Sequence, residues 1–171
     1  GVMLICEASD LIWLFLALEL VSLPTYVMVA MSRWSSKAQE AAMKYFFLGV
    51  LSAAIMLYGF AFLYASTGTL VLQEISDIFA SQQAVGDISV IAQVGMLLAL
   101  FGLLYKIAAA PMHIYAPDVY QGAASPVTAF LAFVPKTAGM IAIILLLSTI
   151  GWDNGLPPSI EMALWVVAVL T

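Results

Sequence analysis

The chain has 171 residues, 64% of them hydrophobic and only 9% charged, with a net charge of −5 at pH 7 and a mean hydropathy of +1.09. A soluble domain carries about 25% charged residues, so this composition excludes an ordinary water-soluble enzyme, and the acidic balance argues against nucleic acid, which needs a basic face. The single cysteine, Cys6, rules out an intrachain disulfide or a cysteine-only cluster in this segment and reads as a small buried hydrophobe. Several apolar runs are each long enough to cross a ~30 Å hydrocarbon layer. The fold class is therefore an all-α polytopic membrane protein.

In chain order, "GVMLIC" reads as the tail of a truncated helix, with no initiator Met and no basic secretory leader. Asp10 starts the first full span, about 10–31, with Trp13 near one end and Arg33-Trp34 past the other, the usual interfacial anchors. The polar link "SRWSSK" leads to a second span at about 38–65, with Ser35 or Ser36 as its cap. Residues 66–87, "STGTLVLQEISDIFASQQAVGD", are too polar to cross. The helical apolar spacing of "LVLQEISDIFA" predicts a short helix on the membrane surface.

A third span runs from about 88 to 121, roughly 51 Å as one straight helix, too long for an upright crossing. It contains "YKIAAAPMHIYAPDVYQGAASP", residues 105–126, with a lysine, a histidine, an aspartate and three prolines. A break near Pro111 is expected there. Ser125-Pro126 reads as an N-cap followed by proline at the first helical position, opening a fourth span at 126–148. "TIGWDNGLPPS" is a turn-rich loop, and a fifth, incomplete span starts near Ile160 and ends the chain in "MALWVVAVLT", so the sequence reads as a piece of a longer protein. The 32–37 link carries Arg33 and Lys37, whereas the 66–87 and 149–159 loops have no Lys or Arg. The positive-inside rule assigns that link, and with it the 112–125 region, to the cytoplasmic or equivalent side.

No nucleotide or phosphate motif is present, since Gly95 and Gly102 are too far apart for a dinucleotide fingerprint and no Gly-Lys-Ser/Thr loop occurs. A lone His without a ligand partner at metal spacing gives no metal site. The chemistry must lie in ionisable groups within the spans, which are Glu19, Lys44, Lys106 and Lys136. Each costs roughly 2.5–3.5 kcal/mol at a helix centre. Near a helix end a lysine can snorkel to the interface, and Lys44, ~9 Å inside its helix, is close enough to do so. Glu19, ~13 Å from Asp10, and Lys136, ~15 Å from Pro126, lie near mid-membrane.

Prolines coincide with these charges. Pro24 frees the Leu20 carbonyl beside Glu19, Pro111 that of Ile107 beside Lys106, and Pro135, directly before Lys136, that of Leu131. Non-helical backbone at membrane depth survives only where it is buried in protein or lines a wet cavity, so the three coincidences favour a hydrated polar axis. Broken helices with an ionisable residue at the gap mark ion sites in transporters. Burial disfavours charged lysine and histidine titrates near neutrality, so Lys106 and His113 suit proton transfer. The plainer reading of His113 is a helix-end residue bonded to a carbonyl, and Asp118, after Pro117, reads as a surface cap.

The segments "ALELVSLPTYVMVA", "EAAMKYFFLG", "LLYKIAAAPMHIYAPDVYQGAASPVTAF" and "PKTAG" resemble subunit N (chain 2) of respiratory complex I, the NADH:quinone oxidoreductase. It is one of that enzyme's antiporter-like, proton-translocating subunits. The Pro-Asp-Val-Tyr run distinguishes this subunit from its sisters, and the resemblance covers nearly the whole chain. It implies an antiporter-like bundle of about fourteen helices in two inverted repeats. Residues 1–148 would be the first five-helix repeat, and 149–171 a loop and the start of the second. By the same resemblance, Glu19 is the intramembrane glutamate that pairs with a lysine on the broken helix, and Lys106 is that lysine, the central proton carrier. Lys136 is the connecting lysine one helix later, Lys44 an additional lysine of this subunit, and His113 the histidine after the break. Ala124 and Tyr115 depart from the pattern, which often has Pro and Trp there.

The resemblance implies no redox centre in this chain. NADH, FMN, iron–sulfur clusters and the quinone site would belong to partner subunits of the membrane and peripheral arms. The partners are then other membrane-arm subunits and the lipid of an energy-coupling membrane, the bacterial inner membrane or an organellar one. Three alternatives stand beside this reading. One is a cation/proton antiporter subunit of the same superfamily. The second is a passive assembly subunit whose charges merely pair helices. The third, an intramembrane enzyme using His113 and Asp118, lacks a nucleophile beside them.

Overall fold

The computed structural model describes residues 1–32, 34–85, 88–150 and 156–171. Arg33, expected to anchor the first link, and residues 151–155 of the predicted turn-rich loop lie outside the described residues, as do Gly86 and Asp87 at the end of the predicted surface segment. The described chain forms eight α-helices: α1 (Val2–Cys6), α2 (Leu11–Met31), α3 (Ser36–Thr67), α4 (Leu72–Val85), α5 (Val90–Ile107), α6 (Ala116–Gly122), α7 (Ser125–Ile150) and α8 (Pro158–Leu170). A 3₁₀ turn over Met112–Tyr115 joins α5 to α6. Four stretches are long and apolar enough to cross a membrane: Leu11–Met31, Ser36–Thr67, Val90–Gly122 and Ser125–Thr149.

The helix starts follow side-chain chemistry. Asp10 accepts a 2.7 Å bond from the Trp13 amide at the head of α2, and the Ser35 hydroxyl accepts from Ala38 N at the head of α3, each satisfying an amide the first turn leaves open. The helix α7 begins one residue earlier than the sequence suggested, so Ser125 is helical and Thr128 N bonds the Ala124 carbonyl. The expected surface helix is α4. The segments before α2 and α4 hold one another through Leu11 N to Leu70 O and Leu72 N to Ser9 O, an isolated antiparallel bridge between Asp10 and Val71 that the apolar pattern gave no sign of. Cys6 is exposed rather than buried, because the buried face of the short α1 is spent on Ile5.

The helix pair α3–α5 sets the distance between layers. A Cβ on Gly59 would come within 2.5 Å of Ala99 N, and one on Gly102 within 2.5 Å of Met56 Cβ and 2.8 Å of the Ser52 carbonyl. Where lipid tails are as apolar as leucine, such close approach supplies the packing that holds spans together. Ser52 adds a 2.7 Å hydrogen bond to the Gly102 carbonyl. The apolar core, with Leu14, Leu18, Met56, Met96, Leu103 and Leu146 fully buried, fills the bundle on the α4 side of this contact.

Candidate functional site: a buried ion pair beside a broken helix

Helix α5 stops at Ile107, four residues before Pro111. The proline was expected to interrupt a continuing helix; instead Ala108 turns into the left-handed region (φ 57°, ψ 41°) and ends it first. Ala108 N bonds the carbonyls of Leu104 and Tyr105, and Ala109 N reaches back to Leu104. This is the Schellman closure of a helix, usually made with glycine. Pro111 then heads the 3₁₀ turn, and the Ala110–Pro111 bond is cis.

The early stop leaves Lys106 in the last turn of α5, 6% exposed. Its ammonium donates 2.9 Å to Glu19 Oε1 and 2.6 Å to Ser22 Oγ. Both acceptors lie on α2, three residues apart and thus on one helix face, with Pro24 just beyond. Ser22 is itself buried, and its hydroxyl donates to the Leu18 carbonyl. The pair is not at a water surface: the lysine and glutamate side chains are 5% and 18% exposed. Burying two charges costs several kcal/mol per ion unless they are paired and further hydrogen-bonded. Here they are.

Tyrosines line the α3 and 3₁₀ flanks of this pair. The Tyr105 hydroxyl donates to the Tyr45 carbonyl at 2.8 Å, and that of Tyr115 to the Tyr105 carbonyl at 2.9 Å. Their rings pack at centroid distances of 5.3 Å (Tyr45–Tyr115) and 4.4 Å (Tyr105–Tyr115). Thr25 joins Tyr45 by a 3.1 Å hydroxyl contact. The Tyr115 side chain thus ties the 3₁₀ turn to the end of α5.

The remaining candidates stand apart. Lys136, one residue after the helix-internal Pro135, is partly buried with its ammonium 5.7 Å from the Tyr120 ring centroid, within cation–π range. Among the described residues it has no carboxylate partner. Lys44 is half exposed and pairs with Glu40 at 2.8 Å and Asp118 at 2.7 Å. Asp118, expected to cap a helix, instead joins α6 to α3 through this pair. The charges line an open pocket of about 170 Å³ with Lys37 and Gln121. The His113 side chain is exposed and, among the described residues, makes no hydrogen bond or ion pair, neither with Lys106 nor with a backbone carbonyl; its own carbonyl accepts from Ala116 N. Among the described residues, no three His, Cys, Asp or Glu side chains gather where a metal could bind. Ser22 escaped the sequence reading; its spacing from Glu19 was the available signal.

Residues 8–171 match the family described as NADH:quinone oxidoreductase/Mrp antiporter, TM. The chain is 43% identical over 171 residues to NADH-quinone oxidoreductase subunit N of Trichlorobacter lovleyi, covering all of this chain and 34% of that protein. It therefore spans about a third of the length of the curated relatives it matches. Among solved structures it is similar to a chain of respiratory complex I from Thermus thermophilus, at 35% identity and a TM-score of 0.79 over 99% of this chain and 34% of that one. It is also similar to a chain of the Mrp complex from a Dietzia species, at 26% identity and a TM-score of 0.76 over 95% and 28%. The match of residues 8–171 to that family, over nearly the whole length, makes this chain a member of the NADH:quinone oxidoreductase/Mrp antiporter transmembrane family.

Proposed function

We propose that the chain is part of a proton-translocating membrane subunit of an NADH:quinone oxidoreductase, and that protons move through its buried charges while electron transfer proceeds in partner subunits. The observation that carries this reading is the Glu19–Lys106 ion pair, 2.9 Å long and buried at the end of a broken span. A nearby carboxylate favours the protonated ammonium, and desolvation favours the neutral amine. While Glu19 is close, Lys106 holds its third amine proton. When the two separate, the buried amine releases that proton, and their re-pairing reloads it. One ion pair is thus a two-state switch, and no step needs a redox group in this chain.

Lys136 is the next carrier in this scheme, supported by its position one residue after Pro135 in a span. Lys44 acts at the open end, where the pocket shared with Glu40 and Asp118 meets solvent. His113, exposed just past the break, serves as an auxiliary relay. Residues 1–148 are assigned to the first of two inverted repeats and 149–171 to the start of the second. NADH, FMN, iron–sulfur clusters and quinone are assigned to partner subunits, and the site of action to an energy-coupling membrane, such as the bacterial inner membrane.

The test uses the whole complex. Lys106→Met and Glu19→Gln are expected to leave an assembled complex that binds NADH but has strongly reduced quinone reduction and pumping. Glu19→Asp, which keeps the charge, should retain more activity than Glu19→Gln. Assembled complexes of either neutral variant that pump at normal rates would sink the proposal. A second reading, a cation/proton antiporter subunit, is favoured by the similarity to the Mrp complex chain. A sodium requirement for transport would decide for it.

A further inference from the structure

The Tyr26 side chain is 6% exposed, and its hydroxyl is fully buried without a hydrogen-bond partner among the described residues. Leaving a buried donor idle is costly, and buried polar groups are nearly always satisfied. The ring is held on both flanks, edge-on to Tyr45 at 4.8 Å and to Phe46 at 5.7 Å. Its hydroxyl lies over Gly49 of α3, where an added Cβ would come within 2.1 Å of the oxygen. Glycine there is what lets the hydroxyl occupy its place. Along α2, Glu19, Ser22 and Tyr26 follow at three- and four-residue spacing and so share one face, and a helical aromatic leans toward the N-terminus, toward Ser22.

Counting donors shows what the idle hydroxyl is for. In the paired state Lys106 serves two acceptors, Glu19 Oε1 and Ser22 Oγ, while Ser22 donates to the Leu18 carbonyl. That carbonyl also lies in the helical ladder of α2, so it does not depend on Ser22. When the pair opens and Lys106 withdraws, both acceptors lose their donor in a largely buried site.

We propose that Tyr26 is the standby donor of the switch: when Lys106 leaves, the Tyr26 hydroxyl donates to Ser22 Oγ and the Ser22 hydroxyl turns to Glu19. Each acceptor vacated by the lysine regains a hydrogen bond, and no covalent bond to hydrogen is broken. Tyr26 is a positioning residue that acts through Ser22, stabilising the released state and so setting how readily Lys106 lets go. The inference rests on the proposed role of the Glu19–Lys106 pair.

The test is Tyr26→Phe in the complete complex, which removes one oxygen and keeps the ring. If the hydroxyl were merely idle, its loss would leave coupled turnover unchanged and the subunit as stable or more so. The standby role predicts normal assembly with a several-fold loss of coupled quinone reduction and pumping. Gly49→Ala, which keeps the tyrosine but displaces its hydroxyl, should show the same loss. Because Tyr26 acts through Ser22, adding Tyr26→Phe to Ser22→Ala should cause no further loss, whereas independent effects would multiply. Wild-type rates in assembled Tyr26→Phe, or full multiplication on the Ser22→Ala background, overturn the inference. Lys106→Met separates the two levels. If it abolishes pumping while Tyr26→Phe is normal, only the standby role fails; if it pumps normally, the proposed function fails with it.

Discussion

At the scale of single residues, what separates the candidate carriers is how each charge is compensated. Lys106 has a carboxylate and a hydroxyl within 2.9 Å, Lys136 an aromatic face, and Lys44 two carboxylates at a half-exposed site. An exposed ion pair is screened by solvent and contributes little to stability, as at the Lys44 cluster, whereas removing one partner of a buried pair costs about 3–5 kcal/mol. The His113 side chain has no such partner among the described residues and is exposed. His113→Ala should therefore leave assembly intact and slow proton-coupled turnover only modestly, since a chain of waters can partly replace one exposed relay group. Failure of that variant to assemble would mark a structural role instead. The charges themselves were legible in the sequence because an ionisable residue in an apolar run stands out. Their partners were less so: Ser22 and Tyr26 are ordinary residues in a membrane helix, and only the fold brings Lys106, 84 residues from Ser22, onto the serine.

At the scale of elements, the break in the third span has a different cause from the one its prolines suggest. The sequence predicts an interruption near Pro111, and an interruption exists, yet the helix has already closed at Ile107 through Ala108. A proline announces itself in a sequence, whereas a left-handed alanine does not, since the same residue is the best helix former elsewhere. That conformation costs an L-residue roughly 1–2 kcal/mol, so the surrounding contacts must hold it. Ala108→Gly should relieve the strain, offset in part by the greater freedom of unfolded glycine, for a net gain of up to ~1 kcal/mol. Ala108→Val should destabilise, since a β-branched side chain tolerates this region least. Thermal inactivation of the solubilised complex measures both; equal midpoints for the two variants would mean that Ala108 is not strained.

At the scale of the whole molecule, charge bias and helix count together predict a topology that can be tested from both sides of the membrane. The helix α3 alone separates Ser36 from Ser81, both exposed. A third exposed position, Gln121, shares the charged pocket with Lys37, and so belongs to the Ser36 side after two crossings, α3 and α5–α6. Cys6 precedes α2 and is exposed, and the Asp10–Val71 bridge ties the start of α2 to that of α4, which joins Cys6 to the Ser81 side. With other cysteines of the complete subunit replaced, Ser36→Cys and Gln121→Cys should react with an impermeant thiol reagent from the cytoplasmic side, the side that basic loops favour. Native Cys6 and Ser81→Cys should react only from the opposite side. The break makes this a discriminating experiment. A span of 33 residues over Val90–Gly122 could cross at a steep tilt or fold back, and folding back would return Gln121 to the Ser81 side. Labelling of Gln121→Cys together with Ser81→Cys would therefore overturn the crossing count and take Lys106 out of a helix that crosses. Labelling with Ser36→Cys keeps the lysine at the gap of a helix that truly crosses, the geometry a proton switch requires.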